Sequence, residues 1–328
     1  MRTSLTTGLL TIALLTPAFA AKQYSYFRVG NPDDVTASTT PGTVLMGGGT
    51  DVDAAFQWMC QRAGNGDFLV IRATGTDAYN PYIQQLCPGI NSVATLIIPN
   101  RTAASDPFVT AAIQDAEALW IAGGDQSNYI NFWKGTPVQD QINALIARGA
   151  PIGGTSAGMN VLTEFVYSAL ASQGATSSQS LADPFNRYIT LDRDFANVPN
   201  LLGIIGDPHF VTRDRMGRDL AFMCRVYTNG WSAAPRDISI DEKTALLIDA
   251  RGSATLVGSS TAYFMQAPGP PQVCQPDTPL TYDNISIYRI NASGAFDLGR
   301  WAGKGGVAYT VSANAGVLSS TQAGGGIY

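Results

Sequence analysis

From Thr43 onward the apolar positions follow two alternating periods. VLMG (44–47) is a short apolar run that ends in Gly47-Gly48-Gly49. Across 51–62, Val52, Ala55, Phe56 and Met59 recur at helical spacing, which predicts a helix with one apolar face. FLVIRA (68–73), VATLIIP (93–99) and ALWIAGG (118–124) are apolar runs of strand length, with helical patterns between them at 79–86 and 106–116. Residues 139–148 predict a further helix: Thr136 can cap it, Pro137 suits its first turn and Gly149 ends it. A strand at 151–153 follows, then an apolar helix over 157–165 opened by Ser156.

Short apolar strands that alternate with helices predict an α/β fold, a mostly parallel sheet with helices on both faces. Beyond Ala250 the texture changes. TAYFMQ, ISIYRI and GVAYTV alternate and are broken by Gly, Pro and Asn, which predicts antiparallel strands that extend the sheet or form a small appendage. The expected organisation is a leader over 1–20, a polar arm over 21–41, an α/β catalytic domain over 42–252 and a C-terminal β-rich extension over 253–328 packed on the same domain. PGPPQVCQPDTP (268–279) reads as a loop and AGGGIY (323–328) as a loose tail.

The chain has 328 residues, 45% of them hydrophobic, enough for a sizeable core. Its net charge is −5 and it carries no basic run, which argues against nucleic acid or an anionic membrane as partner. The first twenty residues couple Met1-Arg2 to LLTIALLTPAFA and end in Ala18-Phe19-Ala20, the pattern of a secretory signal with an A-x-A cleavage site. The apolar run is too short for a membrane anchor, which needs about 20 apolar residues. The expected protein is therefore secreted, with no membrane contact after cleavage. Export changes the reading of Cys60, Cys87, Cys224 and Cys274, which are expected to be oxidised. Three connectivities are open, and pairing of sequence neighbours, Cys60–Cys87 and Cys224–Cys274, is favoured. Sequons at Asn100, Asn284 and Asn291 are candidate glycosylation sites if the host glycosylates.

Parallel sheets place their sites at the carboxyl ends of the strands. Three glycine-rich stretches fall there: Gly47–Gly49, Gly123-Gly124-Asp125-Gln126 and Gly153–Gly158. Neither GxGxxG nor GxxxxGK[ST] occurs, which argues against a nucleotide. Gly154-Thr155-Ser156-Ala157-Gly158 instead fits G-x-S-x-G. A serine on a strained strand-to-helix turn needs small neighbours, and the N–H of Ala157 is left to face an oxyanion. A serine hydroxyl needs a base, and the chain holds one histidine, His209, in GDPHFVTRDRMGR (206–218). Arg213, Arg215 and Arg218 follow and could bind a carboxylate bidentately. Asp207, Asp241 and Glu242 are candidates to orient the imidazole. Asp207 would crowd the ring in a strand, so Glu242 is preferred.

GGTSAG, the single histidine in D-x-H-F, the R-x-R-x-x-R after it and IDE-x-TALL together resemble the cyanophycinases and aspartyl dipeptidases, the S51 serine peptidases. The similarity runs from about Val44 to about Phe264. It implies a class I glutamine amidotransferase-like α/β fold and a Ser156, His209, Glu242 triad. It places Gly124 or Asp125 with Ala157 in the oxyanion hole, and Gln126, Asp207, Arg213, Arg215 and Arg218 at the substrate. It implies cleavage next to aspartyl residues, or release of β-Asp-Arg from cyanophycin, with no metal or other cofactor. The expected partner is a peptide or cyanophycin-like polymer. The oligomeric state stays open, a homodimer included.

One departure bears on substrate: Pro208 stands where cyanophycinases usually carry glutamine. The segment 171–186 is also expected to form an extended loop near the site. Two other readings compete. One is a Ser-Asp-His esterase, in which Asp183, Asp192 or Asp194 would supply the acid. The other is a non-catalytic binding protein on the same fold.

Overall fold

The computed structural model describes residues 22–328. The expected leader and its cleavage site lie outside the described residues. Two sheets organise the fold. The ten-stranded sheet runs Ser25–Gly30, Ser92–Ile97, Asp67–Arg72, Ala118–Ile121, Ile152–Thr155, Gly42–Met46, Thr244–Asp249, Ser253–Gly258, Ala295–Asp297, Ala302–Lys304. From Ser92–Ile97 to Gly42–Met46 its strands are parallel. These strands are buried on both faces, which is why they read as apolar runs without alternation. Val44 and Met46 pack on one side with Phe56 and Met59 of the helix Asp53–Arg62 and Ile83 of Tyr79–Leu86. Leu45 packs on the other with Val109 and Ile113 of Pro107–Gln114 and Ile142 and Leu145 of Pro137–Ala147. At full burial each such side chain contributes about 2 kcal/mol.

The parallel sheet is not the whole architecture. An eight-stranded sheet runs Val317–Ser320, Val307–Asn314, Tyr282–Ile290, Ala262–Gln266, Arg236–Ile240, Ile204–Asp207, Phe165–Tyr167, Leu191–Arg193. Ile204–Asp207 is parallel to both its neighbours; the other pairs are antiparallel. The chain leaves Arg236–Ile240 in this sheet and enters Thr244–Asp249 in the other, turning through Lys243 at φ +56°. That turn puts residues 241 and 242 on the seam between the sheets. Residues 253–328 supply strands to both sheets, and Ser25–Gly30, within the stretch expected to be an arm, is an antiparallel edge strand.

Four local readings change. The helix after Ser156 is a single turn, Ala157–Asn160, and Phe165–Tyr167 is a strand. The Thr163 hydroxyl lies within hydrogen-bonding reach of the Asn160 and Phe165 carbonyls and competes with helix continuation. A helix over Gln126–Trp133 was not expected; Asp125 caps it by accepting the Ser127 N–H at 2.9 Å. Segment 171–186 holds the helix Ser177–Ala182, opened by a Thr176/Gln179 capping box. Thr136 sits at the N-cap of Pro137–Ala147, but its hydroxyl donates to the Trp133 carbonyl instead of accepting a cap bond.

Disulfides join Cys60 to Cys87 and Cys224 to Cys274. The first ties the helix Asp53–Arg62 to the end of Tyr79–Leu86, and the second ties the helix Met216–Thr228 to the Pro-rich loop. Asn284 and Asn291 are exposed; Asn100 is half-buried.

Candidate active site

The strand Ile152–Thr155 ends directly at Ser156, whose φ of 53° and ψ of −117° place it in a strained region, at a cost of about 1–3 kcal/mol. Packing demands the glycines around it. A Cβ on Gly158 would lie 1.9 Å from the Ile121 carbonyl oxygen, and one on Gly154 would lie 2.5 Å from the Gly158 carbonyl carbon. The Ser156 N–H donates to the Met46 carbonyl at 3.0 Å, which aims the turn away from the sheet.

His209 follows the strand Ile204–Asp207 and is also in a left-handed conformation, φ 51°. Its N–H donates to the Gly47 carbonyl at 2.8 Å. The imidazole Nε2 lies 2.6 Å from Ser156 Oγ, and Nδ1 lies 2.6 Å from Glu242 Oε1. Burial pushes the His209 pKa below its ordinary value. The Glu242 hydrogen bond opposes this shift, and the Arg213 and Arg215 charges add to it. The ring is therefore neutral near neutral pH, and able to accept a proton.

Glu242 is carried by the seam turn, where the Lys243 N–H donates to the Gly48 carbonyl at 2.8 Å. Gly47, Gly48 and Gly49, the first of the three glycine-rich stretches, are the bed of this pair. A Cβ on Gly47 would lie 2.0 Å from the Asp241 carbonyl oxygen, one on Gly48 2.3 Å from His209 Cε1, and one on Gly49 3.0 Å from Glu242 Cβ.

The other acids are committed elsewhere. Asp241 accepts from the Thr212 N–H and the Ser260 hydroxyl, both at 2.8 Å. Burial raises its pKa, but these bonds outweigh burial and hold it below the ordinary value. Asp192 pairs with Lys134, Asp194 with Arg193 at 2.9 Å, and Asp183 accepts the Phe185 and Asp277 N–H groups. None of the three esterase acids is bonded to His209.

A cavity of about 310 Å³ opens beside Ser156. Gly124, Asp125 and Ala157, the expected oxyanion-hole residues, border it, and Gln126 reaches it while donating to the Tyr167 carbonyl at 3.2 Å. Pro208 lines it as well. Asp207 does not reach it and is corrected here: the residue has zero exposure. Its Oδ1 accepts from Arg215 Nη1 at 2.9 Å, and Arg218 grips both its oxygens, with Nε to Oδ2 at 2.5 Å. Burial alone would push the Asp207 pKa up; the two guanidiniums reverse this and hold it low. Of the three arginines, Arg213 is the exposed one, with its side chain 53% accessible, 3.7 Å from Glu242; Arg215 and Arg218 line the cavity with their charge shared with Asp207. Two lining residues escape a sequence reading. Asn160 is 1% exposed and its Oδ1 has no partner among the described residues. Its position one helical turn after Ser156 was the available signal. Tyr167 stacks against the Arg218 guanidinium at 4.9 Å, and nothing local marks it.

The sequence has relatives among known proteins. A family model described as Peptidase family S51 matches residues 50–253, more than half of the chain. A cyanophycinase of Trichormus variabilis is 25% identical over 218 residues, covering 64% of this chain and 66% of its own length. A cyanophycinase of Synechococcus elongatus is 27% identical over 210 residues, covering 61% and 59%. The chain thus spans somewhat less than two thirds of the length of these relatives. The crystal structure of a peptidase from an acI-B1 Actinobacterium aligns with a TM-score of 0.49 at 17% identity, covering 69% of this chain and 91% of that one.

Proposed function

This chain belongs to peptidase family S51, and from that premise we propose that it is a secreted serine-type peptidase that hydrolyses bonds next to aspartyl residues. The substrate is a β-linked Asp-Arg polymer of the cyanophycin kind, releasing β-Asp-Arg, or an aspartyl dipeptide. One observation carries the reading: Ser156 Oγ, both nitrogens of His209 and Glu242 Oε1 form a continuous chain with 2.6 Å links. The cyanophycinase matches support the substrate class. The signal-like leader and the two disulfides support secretion, because disulfides persist in oxidising compartments.

In this reading Ser156 Oγ attacks the scissile carbonyl carbon and its proton passes to His209 Nε2. Glu242 holds Nδ1–H and stabilises the imidazolium. The N–H of Ala157, with that of Gly124 or Asp125, receives the oxyanion. The C–N bond breaks, His209 returns the proton to the leaving amine, and the acyl-enzyme is hydrolysed by water with His209 again as base. Arg213, Arg215 and Arg218 give the cavity a cationic wall for the aspartyl carboxylate, and Gln126 contributes a polar contact.

The test is product analysis by mass spectrometry with cyanophycin and a panel of α- and β-aspartyl dipeptides, using Ser156→Ala as control. Release of β-Asp-Arg by the wild type alone is the expected result. Cleavage of dipeptides alone would move the substrate. Cleavage of none would overturn the reading in favour of a binding protein.

A further inference from the structure

Behind the arginine wall lies a group of acids that the proposed chemistry does not use. Asp219, on the helix Met216–Thr228, and Asp237, on the strand Arg236–Ile240, are fully buried, as is Asp207. The Ser239 hydroxyl lies 2.6 Å from Asp219 Oδ2 and 2.7 Å from Asp237 Oδ1. A hydroxyl has one proton to donate, so one of these two carboxyls must itself be the donor. Asp219 also faces the charge of Asp207, which disfavours a second negative charge beside it.

In one arrangement Asp237 Oδ1–H donates to Ser239 Oγ and Ser239 donates to Asp219 Oδ2; in the other the chain runs from Asp219 Oδ2–H through Ser239 to Asp237 Oδ1. The other two oxygens, Asp219 Oδ1 and Asp237 Oδ2, have no hydrogen-bond partner among the described residues, so neither acid has the donors that would hold it ionised in a fully buried place. Asp207 is the acid that must stay ionised, because it faces the guanidiniums of both Arg215 and Arg218. The remaining groups facing this chain are Tyr167, Tyr328 and Arg213, none of which adds a second negative charge next to it. Burial and mutual repulsion push Asp219 and Asp237 in the same direction, toward the neutral acid.

We propose that Asp219 and Asp237 are neutral carboxylic acids in the working protein and act as positioning residues. They leave Asp207 as the single negative charge against two guanidiniums, so that the cavity keeps a net positive wall for a substrate carboxylate. Were both acids ionised, three carboxylates would balance the guanidiniums of Arg213, Arg215 and Arg218, and the wall would lose its net positive charge. The inference rests on the substrate reading above for its function, but not for its protonation state.

Two measurements on the full chain separate those parts. The first is the thermal midpoint of wild type, Asp219→Asn and Asp237→Asn between about pH 5 and about pH 8. An acid whose pKa is raised by folding gives stability that is present at low pH and lost as pH rises through the raised value. The wild-type midpoint should therefore fall with rising pH, and each amide variant, a mimic of the neutral acid, should fall less. Variants that fall as steeply as wild type and melt lower at every pH would overturn the proposal. The second is calorimetric titration of succinate, a dicarboxylate probe, into Ser156→Ala. Adding Asp219→Asn should leave Kd within about threefold, because a neutral acid exchanged for an amide changes no charge beside the guanidiniums. Binding tightened by about tenfold or more in Asp219→Asn would show that the wild-type residue carries a negative charge there, and would overturn the proposal. If no form binds succinate, the carboxylate-receptor reading fails while the melting series still decides the protonation state.

Discussion

Gly48 is the floor under His209: its Cα approaches the imidazole so closely that a Cβ there would lie 2.3 Å from Cε1 and 2.6 Å from Nε2. The glycine is required twice, since its φ of +93° is also a region side chains rarely adopt. Gly48→Ala must push the ring off Ser156. The expected outcome is a loss of about 10²-fold or more in kcat, from misplacement of the base. The destabilisation should be about 1–2 kcal/mol from backbone strain. Steady-state kinetics beside a thermal melt checks this, and an active Gly48→Ala would show that the ring can work from elsewhere.

The pH profile carries a signed expectation. His209 is held below its ordinary pKa, first by burial, so kcat/KM should keep its plateau below about pH 6.5 before it falls on the acid side. Glu242 pushes that pKa up and Arg213 pushes it down. Glu242→Gln should therefore move the acid limb to lower pH while reducing kcat, and Arg213→Ala should move it to higher pH. Limbs that move together, or a flat profile, would count against a histidine base.

Asn160 keeps a buried amide oxygen without a partner among the described residues, in the cavity beside Ser156. A buried unsatisfied acceptor costs about 1–3 kcal/mol. Asn160→Ala should therefore leave stability little changed, while raising KM if the substrate supplies the missing donor. A melt and a KM measurement on the same preparation test both halves. A strongly destabilised variant with unchanged KM would make Asn160 structural.

The disulfides span 27 and 50 residues of sequence. Loops of that size correspond to about 3–4 kcal/mol each when closed. Reduction under native conditions should lower the denaturant midpoint substantially. The Cys224→Ser, Cys274→Ser pair should loosen the Pro-rich loop without touching Ser156 or His209.

Sequence alone determined the periodic part of this protein and the serine and histidine of the proposed triad. Apolar runs of strand length marked the parallel strands, because a strand buried on both faces has no polar positions. G-x-S-x-G marked Ser156, because only glycine fits where its neighbours meet the Ile121 carbonyl and each other. The base needed no choice in a chain with one histidine. The tertiary structure decided what depends on contact between distant segments. Glu242 was preferred in the sequence, but Asp241 and Asp207 carried the same functional group and stayed open beside it. What separates them is the seam turn, which aims Glu242 at Nδ1, sends Asp241 to Thr212 and Ser260, and leaves Asp207 to two arginines. The arginines were legible as a carboxylate site but not as partners of a buried acid, because burial is a property of packing and not of spacing. The second sheet was hidden for a related reason. Strand pairing is set by which edges meet in space, and the turn at Lys243 carries the chain from one sheet to the other within three residues.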